Sequence, residues 1–373
     1  MRRSHGISSG LDSKMFSELA ERDEEVVEDQ LFHDKIEAKW DTSRPRPEQF
    51  AGTISTDTID KDTKWVERTK RGFAENIDAI TERQTKLGRK LEYCMMEGCY
   101  YHNWVGPDCS VMPGSELDDF RHGTDMVLVF NQAEGKPLLL AVDVVCTSET
   151  DQVNQKIIRD ITNIEAGTLN NVRYFKPEDN PEMCGPIKMP HVVLGVKTEK
   201  GRQLYQKFVD TLNGNSPKYE LAESPVAKDL QEELQFQLGY YIELSTRKLW
   251  QFKLGKKGGK LPKEDRSMLE TLKDLSEGVK KINNLSDEIN TDNFRELLNF
   301  LEVNEVDLRR LEPTLADNAY QHFNLYKYLE SIKKDSHTDA GVTTDGEEDP
   351  VRDALSIPNK EMLESGSSAR TWH

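Results

Sequence analysis

The chain has no long apolar run. No stretch approaches the roughly 18 consecutive apolar residues that span a bilayer, and only 36% of its 373 residues are hydrophobic. Its first residues lack the apolar segment of a secretory signal. Cysteine is scarce, and its five residues are an odd number, which suits reduced thiols better than a disulfide framework. These absences predict a cytoplasmic protein with no membrane association.

An excess of basic residues is also absent. Lys and Arg number 50 against 67 Asp and Glu, which gives a formal net charge of -17. A protein of this charge repels the phosphate backbone, so generic electrostatic binding of nucleic acid is disfavoured. A local basic groove between acidic ends remains compatible with the composition.

Two carboxylates occur in the most apolar part of the chain. Asp125 stands directly before the run Met126–Phe130, and Asp143 lies inside the run Leu138–Cys146. Their Val, Leu and Phe residues predict two buried strands. Residues 131–137 are a polar connection containing a glycine, which predicts a hairpin loop. A charge inside such a strand costs free energy unless it is paired or binds a metal.

The hairpin register decides whether the two carboxylates meet. If Asn131 lies opposite Pro137, then Asp125 lies opposite Asp143 on the same face, with Cβ atoms roughly 5 Å apart. Two ionised carboxylates at that distance repel, so we expect a divalent cation, a proton or a basic partner between them. Carboxylate oxygens suit Mg²⁺ or Mn²⁺. In the alternative interpretation, Asp125 caps a turn and Asp143 meets an arginine or a backbone donor.

Helices and a further strand surround the hairpin in the sequence. Phe73–Tyr101 predicts a helix before it, and an amphipathic stretch ending at Gly167 predicts one after it. The apolar run His191–Val196 predicts a strand, and a last helix begins near Glu199. Between the first helix and the hairpin no strand is evident. The alternation predicts an α/β core with a mixed sheet.

This order and the paired acids resemble the PD-(D/E)XK nuclease superfamily, which has the restriction-endonuclease-like fold. The resemblance covers roughly residues 75–215. It implies a helix, a three-stranded meander, a crossover helix and a fourth strand. It also implies that Asp125 is the first motif acid and Asp143 the second, with Glu92 or Glu97 as an additional acid on the preceding helix. The motif lysine belongs at position 145, where this chain has Val145.

Some members of the superfamily carry that lysine on the following helix. The resemblance therefore implies Lys156 as the migrated lysine, with Lys176 in reserve. It implies a nuclease with catalytic Asp125, Asp143, Lys156 and Glu92, in which the two aspartates bind Mg²⁺ (or Mn²⁺), and nucleic acid, DNA or RNA, as its partner. The alternative is a catalytically inactive nuclease-like fold that acts as a binding or assembly module, as Val145 and the acidic balance favour.

Two further clusters carry residue types that bind metals. Glu116, Asp118 and Asp119 precede the first strand of the hairpin, and we expect a solvated acidic turn, with outer-sphere ligation as the alternative. The residues Cys94, Cys99, His102 and Cys109 are of the types that structural zinc sites use. Their spacing matches no zinc finger, so we expect buried thiols.

Composition divides the chain into five parts. They are a charged helical N-terminal arm and linker (1–63), a nuclease-like core with a trailing helix (64–252), a basic flexible linker (253–263), a helical segment (264–334) and a disordered acidic tail (335–373). The linker within the first part is predicted between Arg44 and Asp62. We expect the narrow apolar stripe of the N-terminal helix to lie either on the core or on a protein partner.

Overall fold

The fold is known from a computed structural model that describes residues 27, 29–76, 79–133, 135–147, 150–177, 181–255, 261–279 and 291–337. Most of the tail predicted at 335–373 lies outside the described residues, although its first three residues continue the last helix. Most of the predicted N-terminal helix also lies outside them. In the described part of the chain, no helix is long and apolar enough to cross a membrane.

A mixed four-stranded sheet forms the centre, which confirms the predicted α/β class. Its strands, in spatial order, are β1 (Cys109–Pro113), β2 (Met126–Phe130), β3 (Leu138–Thr147) and β6 (His191–Lys197). The first three form an antiparallel meander, and β6 runs parallel to β3. A second, antiparallel pair consists of β4 (Asn170–Phe175) and β5 (Gly185–Met189).

Three of these strands were not expected from the sequence. The short β1 owes its conformation to pairing with β2, with Val111 opposite Leu128. The sequence around Gly185 and Pro186 has no strand pattern. Strand β5 nevertheless begins at Gly185 and pairs with β4, and Val172 and Met189 of this pair pack against the sheet. In each case contacts distant in sequence, rather than local pattern, select the strand.

Helices make up most of the remaining described chain. They are α1 (Ala38–Ser43), α2 (Thr56–Asn76), α3 (Ala79–Tyr101), α4 (Thr150–Glu165), α5 (Thr198–Leu212), α6 (Tyr219–Ala222), α7 (Pro225–Gly255), α8 (Lys263–Val279), α9 (Thr291–Leu311) and α10 (Pro313–His337). Short 3₁₀ turns lie at Pro47–Phe50 and Pro181–Met183, and π-helical turns at His33–Glu37 and Asp118–His122.

The linker predicted between Arg44 and Asp62 is wrong. Helix α2 begins at Thr56, inside that stretch. Its apolar side chains Ile59 and Val66 are buried in a small cluster with Phe50. The stretch is rich in Ser, Thr and Asp, so its composition did not indicate that Phe50 and Ile59 are buried.

Two helices sandwich the sheet and so position the acids. Leu91 and Met95 of α3 pack with Val142 and Val144 on one face. On the other face, Val153 and Ile157 of α4 pack with Val145 and Val193. Alternate residues of a strand point to opposite faces, so Asp143 lies on the side that α4 covers.

Helix α7 closes the sheet at its β6 edge. The side-chain amide of Gln237 accepts a hydrogen bond from the Val193 N–H (3.0 Å) and donates one to the Val193 carbonyl (2.6 Å). An edge strand otherwise exposes such groups to a second chain. The distal half of α7 then builds a separate helical core with α8, α9 and α10, centred on Ile242, Leu269 and Leu297.

Candidate active site

The hairpin brings the two motif acids together. Strand pairing follows the predicted register and ends at Met126 opposite Val142, so Asp125 and Asp143 are the next residues on the two strands. There the Asp125 N–H donates to the Val142 carbonyl at 2.9 Å, one residue out of that register, which ends the ladder. Both side chains are buried, with Asp125 4% and Asp143 1% exposed.

The environment of Asp125 raises the proton affinity of its carboxylate. One oxygen, Oδ2, accepts a hydrogen bond from the Val144 N–H at 2.6 Å. Burial raises the pKa of Asp125 well above its usual range, and the charges of Glu92, Asp143 and Asp119 raise it further. Protons therefore compete with a divalent metal ion for this carboxylate.

Asp143 faces two basic side chains of α4. The Lys156 Nζ lies 2.6 Å from Asp143 Oδ1, and the Arg159 Nη2 lies 3.7 Å from Oδ2. Among the described residues, neither the latter oxygen nor Arg159 Nη2 has a hydrogen-bond partner, and both atoms are buried. In this part of the chain, Asp143 therefore has one oxygen engaged by an ammonium and a second that accepts no hydrogen bond.

The packing of α4 explains how Lys156 reaches the strand. Because Val153 and Ile157 lie against the sheet, the helix runs back across β3 and carries position 156 toward Asp143. The expected motif position, Val145, packs in the same apolar cluster. The reserve candidate Lys176 is exposed just after β4.

Of the two candidate acids on α3, Glu92 belongs to the site. Its side chain is 17% exposed, and the Arg44 Nη2 lies 3.8 Å from its Oε2. Burial, then the charges of Asp119 and Asp143, raise the pKa of Glu92 to about 8 despite the opposing guanidinium charges. Glu97 instead accepts hydrogen bonds from Lys39 (2.5 Å) and the Trp40 indole (2.7 Å).

Arg44 and Asp119 complete the cluster; sequence reasoning had considered Asp119 only as an alternative outer-sphere ligand and had not considered Arg44. The Arg44 Nη1 lies 3.6 Å from Asp119 Oδ2 and donates to the Gly114 carbonyl at 2.9 Å. Burial and the charge of Asp143 raise the pKa of Asp119, whereas Arg44 and a hydrogen bond with Asp125 lower it. Arg44 lay in the predicted linker, where no local pattern links it to the hairpin.

The expectation of a solvated acidic turn is wrong for Asp118. This carboxylate is fully buried and accepts hydrogen bonds from the Ser115 hydroxyl (2.6 Å), the His122 ring (2.8 Å) and the N–H groups of Arg173 (2.7 Å) and Tyr174 (3.0 Å). It joins the turn before β2 to β4, so its role is structural.

Glu116 has a different environment from its neighbours in that turn. It is exposed and forms an ion pair with Lys70 of α2. Its carboxylate therefore matches the solvated interpretation. The three acids of one loop thus serve three purposes: a surface ion pair, a buried structural hub and, at Asp119, a member of the carboxylate cluster.

A buried histidine positions the loop that carries Asp125. The His191 Nδ1 lies 2.6 Å from Asp160 Oδ2, and its Nε2 lies 2.7 Å from the Gly123 carbonyl. Burial lowers the pKa of His191, but the charge and hydrogen bond of Asp160 outweigh it and raise the value overall. Gly123 has φ +64°, and a Cβ there would lie 2.6 Å from Asp143 Oδ2, so only glycine fits.

The carboxylates of this cluster are the candidate ligands for the divalent cation that the resemblance implies. Among the described residues, no three or more His, Cys, Asp or Glu side chains are grouped as they stand to hold a metal ion. The chemistry nevertheless suits a hard cation, because the cluster is built of carboxylate oxygens and Asp143 Oδ2 is buried without a partner. Asp125 and Asp143 are the residues that would hold it.

Three of the five cysteines lie in the apolar core on the α3 face of the sheet. Cys94 and Cys99 are fully buried there and Cys109 is 6% exposed. Burial raises the pKa of Cys99 to about 12 and also raises that of the other two thiols. They are therefore thiols packed as apolar side chains, as the sequence predicted.

Comparison with known proteins found no matching family model, no similar curated protein and no solved structure that matches this one.

Proposed function

We propose that this protein is a metal-dependent nuclease of the PD-(D/E)XK type, with the restriction-endonuclease-like fold. The observation that carries the proposal is the Lys156 ammonium, 2.6 Å from Asp143. A lysine beside two opposed strand aspartates is the combination that the resemblance implies. The order helix, three-stranded meander, helix and parallel strand, with the separate β4–β5 pair inserted before the last strand, also supports the proposal.

Each side chain of the cluster has a role in phosphodiester hydrolysis. A bound Mg²⁺ or Mn²⁺ supplies a water of lowered pKa and neutralises charge on the phosphate. Asp125 and Asp143 would hold that ion. Lys156 stabilises negative charge that develops at the phosphate, and Arg159 Nη2, which makes no hydrogen bond to the described residues, is a donor for a phosphate oxygen. Glu92, whose pKa is about 8, accepts or donates a proton near neutral pH.

The proposed substrate is nucleic acid, either DNA or RNA, and the proposed location is the cytoplasm. The overall charge of -17 requires the binding surface to be locally basic. Lys156 and Arg159 are 38% and 41% exposed, so both reach the surface beside the acids. Among the described residues, these two side chains supply positive charge at the surface beside the acids.

A second candidate function is an inactive nuclease-like binding or assembly module. The observation in its favour is that Lys156 already neutralises Asp143 without a metal ion. Position 145, apolar and buried, offers no additional cation. This candidate binds nucleic acid or protein but cuts no phosphodiester bond.

The discriminating experiment is a cleavage assay with the purified full chain. End-labelled single- and double-stranded DNA and RNA are incubated with Mg²⁺, Mn²⁺ or EDTA. We expect metal-dependent cleavage that falls at least about 100-fold in Asp125→Asn and Asp143→Asn. Glu116→Gln, an acid of the same region that faces Lys70, is the matched control and should cut normally. Absence of cleavage on all four substrates would leave only the binding module.

A further inference from the structure

A polar pocket lies between α5 and the start of α7, apart from the carboxylate cluster. It has a volume of about 110 Å³, well above the roughly 10–15 Å³ that one water needs. One wall consists of Lys200, Gln203 and Lys207 of α5, and the other includes Ser224 and Asp229. Positions 200, 203 and 207 share one helix face because residues three and four apart are neighbours.

Ser224 is the unusual residue of this pocket. It directly precedes Pro225, the first residue of α7, and is 3% exposed. A serine at this position ordinarily accepts a hydrogen bond from an N–H of the first helical turn, but the Ser224 Oγ has no hydrogen-bond partner among the described residues. The N–H of Ala227 bonds the Ser224 carbonyl instead, at 2.9 Å. A buried hydroxyl without a partner is costly unless a ligand satisfies it.

The surrounding charges favour an anion. The N-terminus of a long helix carries a partial positive charge, and α7 has 31 residues. Lys200 Nζ lies 3.1 Å from Asp229 Oδ2, whereas Lys207 forms no ion pair with any described residue. The pocket therefore combines two ammonium groups and a helix terminus with a single carboxylate.

We infer that this pocket is an anion-binding site that takes a phosphate group. The Ser224 hydroxyl donates to a phosphate oxygen, and Lys207 and Lys200 neutralise the charge of the phosphate. The pocket shares no residue with the Asp125 and Asp143 pair, so the inference does not depend on nuclease activity. The phosphate is either a free one or one in a nucleic-acid backbone.

The test is titration calorimetry of the full chain with inorganic phosphate at constant ionic strength. Ser224→Ala should weaken binding about tenfold without lowering the Tm of the ligand-free protein, because the hydroxyl stabilises nothing there. Lys207→Met should weaken it severalfold. Asp229→Asn should strengthen it, since Lys200 then loses its competing partner. Lys136→Met, an exposed lysine of the β2–β3 loop, is the matched charge control and should bind normally.

The source of the phosphate is resolved by a second titration with a single-stranded oligonucleotide in EDTA. If Ser224→Ala weakens both ligands, the site takes a backbone phosphate; if it weakens only inorganic phosphate, the site takes the free ion. EDTA removes divalent cations from this titration, which separates this inference from the proposed metal-dependent activity. No phosphate binding by the wild type, or equal binding by Ser224→Ala and Lys207→Met, would overturn the inference.

Discussion

The raised pKa of Glu92 makes the stability of the metal-free protein depend on pH. The folded protein holds the Glu92 proton up to about pH 8, whereas the ordinary value is 4.5. Between these values the folded state binds a proton that the unfolded state has released. The free energy of unfolding therefore falls as the pH rises, by about 1.4 kcal/mol per pH unit, or about 3 kcal/mol between pH 5 and pH 7.5.

Urea unfolding at half-unit steps from pH 5 to pH 9 measures this slope in the wild type and in Glu92→Gln. His191 adds a slope of the same sign, because the stability from a raised histidine pKa is complete below its usual value of 6.5 and is lost as the pH rises through the folded value. The difference between the two proteins isolates Glu92. Equal slopes in both would refute the assignment of a buried proton to Glu92.

The same urea unfolding experiment can be repeated in the presence of a divalent cation. Metal ions bind the ionised carboxylates, so Mg²⁺ should stabilise the wild type more at pH 8 than at pH 5. If Mg²⁺ stabilises the protein equally at both values, the ion is binding somewhere other than the protonated cluster.

Three further predictions concern single side chains. Asp143→Asn should abolish cleavage yet change the free energy of unfolding by less than about 2 kcal/mol, because the lost pairing with the half-exposed Lys156 is offset by weaker repulsion of Asp125; a chain unfolded by circular dichroism would instead show a structural carboxylate. Lys156→Met should reduce the cleavage rate at least about 100-fold while Mn²⁺ still binds, and retained cleavage would exclude a catalytic role. Gln237→Leu should cost about 1–3 kcal/mol in urea unfolding, since it leaves Val193 unsatisfied, and should not change cleavage.

The hairpin shows how far sequence alone reaches. The loop length fixed the strand register, and the register brings Asp125 and Asp143 to the end of the paired segment. Lys156 was identifiable because the resemblance implies a migrated lysine on the following helix, and a lysine at the edge of an apolar helix stripe can extend toward polar groups. The choice between Glu92 and Glu97 was not open to sequence reasoning, because both lie on one helix and only tertiary packing distinguishes them.

The residues that sequence reasoning missed are held by distant contacts. Arg44 reaches the cluster from a segment whose polar composition is typical of a linker, and its partner Asp119 lies 75 positions along the chain. His191 opens an apolar strand and meets Asp160 only because α4 crosses the sheet. Strand β1 likewise depends on its pairing with β2. Local periodicity carries no signal for such pairs.

The central claim is that the buried carboxylates form a divalent-cation site, and proton-linked metal binding tests it most directly. Titration calorimetry with Mn²⁺ at pH 7, in buffers of different ionisation enthalpy, measures both affinity and the protons released. We expect binding accompanied by proton release, because burial and neighbouring charges raise the pKa of Asp125 well above its usual range and that of Glu92 to about 8. Asp125→Asn should abolish the binding and Glu116→Gln should preserve it. A wild-type protein that binds neither Mn²⁺ nor Mg²⁺, or an Asp125→Asn variant that binds as well as the wild type, would contradict the account.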